Sequence, residues 1–163
     1  MMVSWFKELM ACLVEETECY RQLLGLAQRQ KEILVSAEIQ ELTSNVRMEE
    51  KQVFLLGPLA ARRNDLLEKI ARSLGVKKMD LSGAIEKAPG EVTDAFREAA
   101  LLLAKTAREL EAVNQGNDKL LKNALAYVNF TLRAVATAGR PSAMARMDRP
   151  LERPAASFVN RKV

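Results

Sequence analysis

A chain of 163 residues, 48% hydrophobic and 28% charged, is long enough for one core and too apolar to be disordered throughout. Aromatics make up only 5% and histidine is absent, so the core must be mainly aliphatic and the usual histidine-based zinc and haem sites have no ligands. The net charge of +4 lies entirely after Gly139, where Arg140, Arg146, Arg149, Arg153, Arg161 and Lys162 face only Asp148 and Glu152; the neutral body before it excludes a basic nucleic-acid footprint there.

From about 4 to 35, the residues Trp5, Leu9, Leu13, Tyr20, Leu23, Leu24, Ala27 and Leu34 recur at threes and fours, which predicts an amphipathic helix. Glu16 and Gln30 fall on the same stripe and interrupt it, so it is no uninterrupted zipper. Glu15, Glu16 and Glu18 read as solvated charge that complements the helix dipole. Cys12 and Cys19 are one heptad apart on this helix, about 10 Å along its axis, beyond the roughly 7 Å reach of a disulfide. Free thiols and the lack of a basic leader with a small-residue cleavage site both point to a cytoplasmic protein. Ser36 is expected to cap the next helix through its hydroxyl.

The second helix is predicted over 37–74 by Ile39, Leu42, Val46, Val53, Leu56, Leu59, Leu66, Ile70 and Leu74, with Gly75 placed to end it in a left-handed cap. Asp65–Lys69 and Glu68–Arg72 are favourable pairs at four-residue spacing. Gly57-Pro58 predicts a kink or short break, because proline removes one backbone bond and crowds the preceding turn. Arg62 and Arg63, with Glu68 and Lys69 one to two turns on, allow an enzyme alternative in which cations hold a small dianion between long helices, as in the helical chorismate mutases. Here, however, the cations alternate with acids, as on an ordinary wet face.

Residues 76–90 form the main interruption, with Asp80 able to cap a short helix centred on Leu81 before Pro89-Gly90. The pattern is helical again over 91–138, through Val92, Phe96, Ala99, Leu103, Leu110, Val113, Leu120, Leu121, Ala124, Tyr127, Val128, Leu132 and Val135. An unbroken helix of that length spans roughly 70 Å, more than a core of this size needs, so part of it must project or pack against another chain. Asn114-Gln115-Gly116-Asn117 is a soft spot: either a tolerated polar turn facing solvent, or a pair of amides on one face that bond to a neighbouring helix or a bound peptide backbone.

No phosphate-cradling loop is present, since Gly75-Val76-Lys77-Lys78 lacks the upstream glycine and downstream hydroxyl of one. No nucleophile has a base beside it, no cofactor is implied, and the aliphatic run from Ala99 to Ala104 falls far short of the roughly 18 residues of a membrane span. The expected fold is all-α, an elongated antiparallel three-helix bundle of long helices with a short connecting helix. Its expected domains are a helical bundle over 1–138 and a basic tail containing Pro and Arg over 139–163.

The order of these elements resembles the FlgN-like flagellar export chaperones. The resemblance rests on Leu13, Glu16, Tyr20, Leu23 and Leu24 in the first helix, a break near Ser36-Ala37-Glu38, and Leu59 with Arg63 in the second. It continues through the short Leu81-centred turn and through Leu110, Asn114, Asn117, Leu120-Leu121, Ala124-Leu125 and Val128 in the last helix. It implies a cytoplasmic chaperone of flagellar type III secretion, not an enzyme, which keeps hook-associated proteins soluble and delivers them to a component of the export apparatus. Such a chaperone needs a long apolar surface that takes an amphipathic segment. That surface is expected on the last helix, with Leu110, Val113, Leu120, Leu121, Ala124 and Val128 as apolar anchors and Asn114 and Asn117 as polar ones. Self-association through the last helix or the tail is the accompanying expectation. In the tail, Met144, Met147, Leu151, Phe158 and Val159 are spaced like groove anchors, so it is expected to occupy a groove on its own or a neighbouring bundle. Its cations offer a second reading, attraction to an acidic export component or membrane surface. A structural coiled-coil scaffold is the alternative to the chaperone reading, and more regular heptads than these would mark it.

Overall fold

The computed structural model describes residues 1–139, and the expectations for the tail lie outside the described residues. Four helices follow in order: α1 (Met2–Ser36), α2 (Ile39–Ser73), α3 (Leu81–Lys87) and α4 (Thr93–Gly139), with no strand among the described residues. The all-α expectation holds, and the helix limits fall within two residues of those predicted.

The ends of the helices have local causes. Gly75 takes the left-handed conformation at φ 69°, its N–H donates to Arg72 O at 3.2 Å, and Val76 N–H reaches back to Ala71 O at 3.0 Å. This doubly bonded cap satisfies carbonyls that α2 would otherwise leave bare. Asp80 caps α3 by accepting from Gly83 N–H at 2.8 Å. One local expectation fails and another is narrowed. Ser36 does not cap α2, because its hydroxyl bonds back to Ile33 O at 3.3 Å inside α1; the turn is made by Ala37 in the left-handed region at φ 58°. Pro58 does not break α2, which runs through it. Pro58 lies on the exposed face, where the Phe54 carbonyl that loses its partner is within reach of water.

The direction of packing follows from the residues that meet. Met2 approaches Ser73, Cys12 bonds to Leu59, and Leu26 bonds to Asn45, so α1 and α2 are antiparallel. Phe6 meets Phe96, and Ala27 meets Asn117, so α1 and α4 run parallel in a constant register. Helix α1 packs along both long neighbours, whereas no Cα of α2 comes within 8 Å of one in α4. Side chains still close the core across that wider gap: Leu9 and Leu13 of α1, Leu66 and Ile70 of α2, and Phe96 and Leu103 of α4 belong to one buried cluster. Ala84 of α3 and Val92 plug the end where α4 begins.

Candidate functional site

The polar residues that interrupt the stripe of α1 are joined to the other helices. Glu16, only 1% exposed, meets Arg63 of α2 with Oε2 at 2.6 Å from Nη1. Burial pushes its carboxyl above the usual range, and the guanidinium partly offsets that. The reading of Glu16 as solvated charge is thereby corrected: α2 brings a cation to it across 47 residues of sequence, a pairing invisible to local pattern. Glu15 does stay exposed, where it pairs with Arg62. Cys12 lies beside this pair, donating to Leu59 O at 3.3 Å, and burial with the nearby Glu16 carboxylate pushes its thiol up to about 11. Such a thiol stays protonated and poorly nucleophilic at neutral pH.

Higher along α1, two asparagines grip consecutive carbonyls from opposite neighbours. Asn45 of α2 donates to Leu26 O at 3.0 Å, and Asn117 of α4 donates to Ala27 O at 2.7 Å and to Gln30 Oε1 at 3.1 Å. These bonds fix the register of both neighbours against one turn of α1. They also explain Gln30, the second polar interruption of the stripe. Asn117 Oδ1 is buried without a partner among the described residues, so this bracket is not fully satisfied.

Asn45 Nδ2 also donates to Glu49 Oε1 at 3.3 Å, and burial raises the Glu49 carboxyl to about 7. The folded chain therefore holds this proton more tightly than the unfolded chain, whose carboxyl titrates near 4.5. Stability is fully present below that value and falls as pH rises through 7. At roughly 1.4 kcal/mol for each tenfold change in proton affinity, the upper bound is about 3 kcal/mol, which partial exposure reduces to about 1–2 kcal/mol. Glu49→Gln is expected to stabilise the chain by that amount at pH 8 and to leave it unchanged at pH 4. Urea unfolding at the two pH values checks this, and equal gains at both would refute the assignment.

Helix α4 outruns the rest of the molecule. With Phe6 level with Phe96 and Ala27 with Asn117, the last residue of α1, Ser36, is level with Ala126. Residues 127–139 therefore project past the α1–α2 turn by about 20 Å at 1.5 Å per residue. The face that buries Leu110 and Asn117 continues through Leu121 and Leu125 onto this projection as Val128, Leu132 and Val135, with all but Leu121 between 42% and 65% exposed. On other sides stand Tyr127 and Phe130, each 71% exposed. From Asn123 to Gly139 the sequence carries a single charge, Arg133. A helix end that is apolar on several sides is unusual for a surface exposed to water.

The predicted site residues divide along α4. Leu110 and Asn117 face α1 and are spent inside the chain, and Val113 packs on the core cluster. Asn114, Leu120 and Leu121 are half-buried, while Ala124 and Val128 are exposed. The accessible part thus starts near Leu120 and runs toward the C-terminal end. Leu125, Tyr127, Phe130, Leu132 and Val135 were not among the predicted anchors; the charge-free run from Asn123 to Leu132 is the signal that marks the first four, and Val135 follows one turn on. The cations of the enzyme alternative do not converge: Arg62 and Arg63 meet Glu15 and Glu16, Lys69 meets Asp65, and Arg72 meets Glu68. No helix among the described residues is long and apolar enough to cross a membrane.

No curated protein matches the chain, and no solved structure does. The FlgN protein family matches residues 1–144, a span that takes in all four helices and the whole projecting end of α4. The chain belongs to the FlgN family, a family of chaperones for flagellar export.

Proposed function

We propose that this protein is a cytoplasmic export chaperone for flagellar hook-associated proteins, holding a client segment on the apolar surface of α4 and delivering it to the export apparatus. The observation that carries this reading is the projection of α4 past the end of α1, where Val128, Leu132 and Val135 continue its aliphatic stripe and stand 42–65% exposed. A secretion client must stay unfolded or partly helical, and an amphipathic segment with anchors at threes and fours matches such a stripe. Holding and releasing it requires apolar area and no catalytic group. Leu120, Leu121, Ala124 and Val128 are the anchors assigned to the client, with Asn114 at the edge of the surface. Val113 supports them from beneath, and Leu110 and Asn117 set the register of the helix on which they stand.

Co-purification of the full chain with candidate hook-associated proteins tests the proposal. Val128→Asp places a charge in the exposed stripe without touching the core, so helicity by circular dichroism should be unchanged while capture of the client falls at least about tenfold, the equivalent of about 1.4 kcal/mol. Undiminished capture by a folded Val128→Asp chain would move the client site off α4.

A further inference from the structure

We infer that the first half of α2, residues 39–57, is an arm that opens from α1 as a unit about Gly57-Pro58, while the second half stays in the core. The two halves are held very differently. After the joint, Leu66, Leu67, Ile70 and Ala71 are buried, and Arg63 enters the enclosed pair with Glu16. Before it, among residues 39–57, the only buried one is Asn45, whose amide donates to Leu26 O at 3.0 Å. Val53 and Leu56 are partly buried against the core cluster, and Met48, Phe54 and Leu55 stand exposed. The ion pair of Arg29 with Glu41 is open to water on both sides, where such pairs contribute little. No Cα of α2 lies within 8 Å of one in α4, so of the long helices the arm packs closely against α1 alone.

The joint between the halves is weak for a local reason. Pro58 has no N–H, so the Phe54 carbonyl loses its helical partner and one of the backbone bonds that cross the joint is missing. Gly57 beside it adds backbone freedom, and it stands in open space, where an added Cβ would meet no atom within 4 Å. Just beyond the joint, Cys12 donates to Leu59 O at 3.3 Å, which ties down the point about which the arm turns. The contacts of Cys12 with Leu59 and of Leu26 with Asn45 set the arm beside Tyr20 and Leu23 of α1, so opening uncovers apolar surface that the closed chain keeps buried. Once off α1 the arm has no packed face, and a helix without one is marginal in water. Its amides therefore exchange with solvent when it opens.

Hydrogen exchange of the full-length chain, read by mass spectrometry on peptides from either side of Pro58, tests the hinge. The amides from Leu42 to Leu56 are expected to share one level of protection, at least about tenfold below that of residues 59–71. Asn45→Ala should lower the protection of the arm by a further factor of about five or more and leave 59–71 unchanged. Gly57→Ala combined with Pro58→Ala supplies the missing donor and should raise the protection of the arm at least about tenfold, so that the step at residue 58 narrows. Equal protection on the two sides, a smooth rise from Ile39 to Ser73 that marks fraying from the α1–α2 turn, an Asn45→Ala loss shared by 59–71, or a step untouched by the double substitution would each overturn the hinge. Circular dichroism shows that the variants fold, and the client experiment with Val128→Asp can fail or succeed independently of this one.

Discussion

Arg63→Ala is expected to destabilise the chain by about 3–5 kcal/mol at pH 8, the largest loss of any single change outside the apolar core. Glu16 is almost wholly enclosed, and its carboxylate relies on the Arg63 guanidinium at 2.6 Å; among the described residues its other oxygen has only the Cys12 thiol, 3.8 Å away. Removing the guanidinium leaves a desolvated anion with no counter-charge. The chain can relieve this by protonating Glu16, whose carboxyl burial already raises and which the Arg63 charge, with a smaller contribution from the Cys12 thiol, holds down. The variant's folded carboxyl would titrate still higher, so its stability must fall as pH rises from the unfolded value through that new one. The deficit against the unaltered chain therefore grows from pH 5 to pH 8. Glu16→Leu combined with Arg63→Met removes both desolvated charges, and it is expected to lie near or above the original stability. Urea unfolding followed by circular dichroism gives all three values. An Arg63→Ala loss below about 1 kcal/mol at pH 8, the range of an exposed pair, would show that water reaches Glu16.

Phe96→Ala should cost a comparable amount, about 3–5 kcal/mol for deletion of a large buried side chain. Phe96 is fully buried and meets the Phe6 ring edge-on, with centroids 5.6 Å apart and planes at 86°. That geometry adds about 0.5–1.5 kcal/mol to simple burial. In a chain with so few aromatics, this pair fills the end of the core where α1 and α4 both begin. Ala84 and Val92, buried in the same cluster, are too small to fill the space a missing ring leaves. Phe54→Ala provides the contrast: Phe54 is 81% exposed on α2, and its loss should stay within about 0.5 kcal/mol. Equal midpoints of thermal unfolding for the two variants would refute the assignment of Phe96 to the core.

The positions of the helices were legible in the sequence because their causes are local. Threes-and-fours periodicity, Gly75 with its free φ and Asp80 with its carboxylate three residues before Gly83 act within one or two turns. The excess length of the last helix was legible too, from residue count and rise alone. Ser36 was misread because a hydroxyl at a helix junction can bond forward or backward, and only the left-handed turn at Ala37 decides between them. That α2 runs unbroken through Pro58 was not legible, because the effect of a missing N–H depends on whether the orphaned carbonyl faces water. The meaning of the polar residues on the α1 stripe was settled only by tertiary structure. Glu16 and Gln30 look the same in sequence, but one receives an ion pair from α2 and the other an amide from α4. Likewise, the sequence marked one continuous apolar face on α4, and the register of Phe6 on Phe96 and Ala27 on Asn117 divided it. On that face, what lies level with α1 is core as far as Asn117 and half-buried at Leu121, and what lies beyond Ser36 is surface. Periodicity reports which side of a helix is apolar, whereas burial depends on where the neighbouring helix ends.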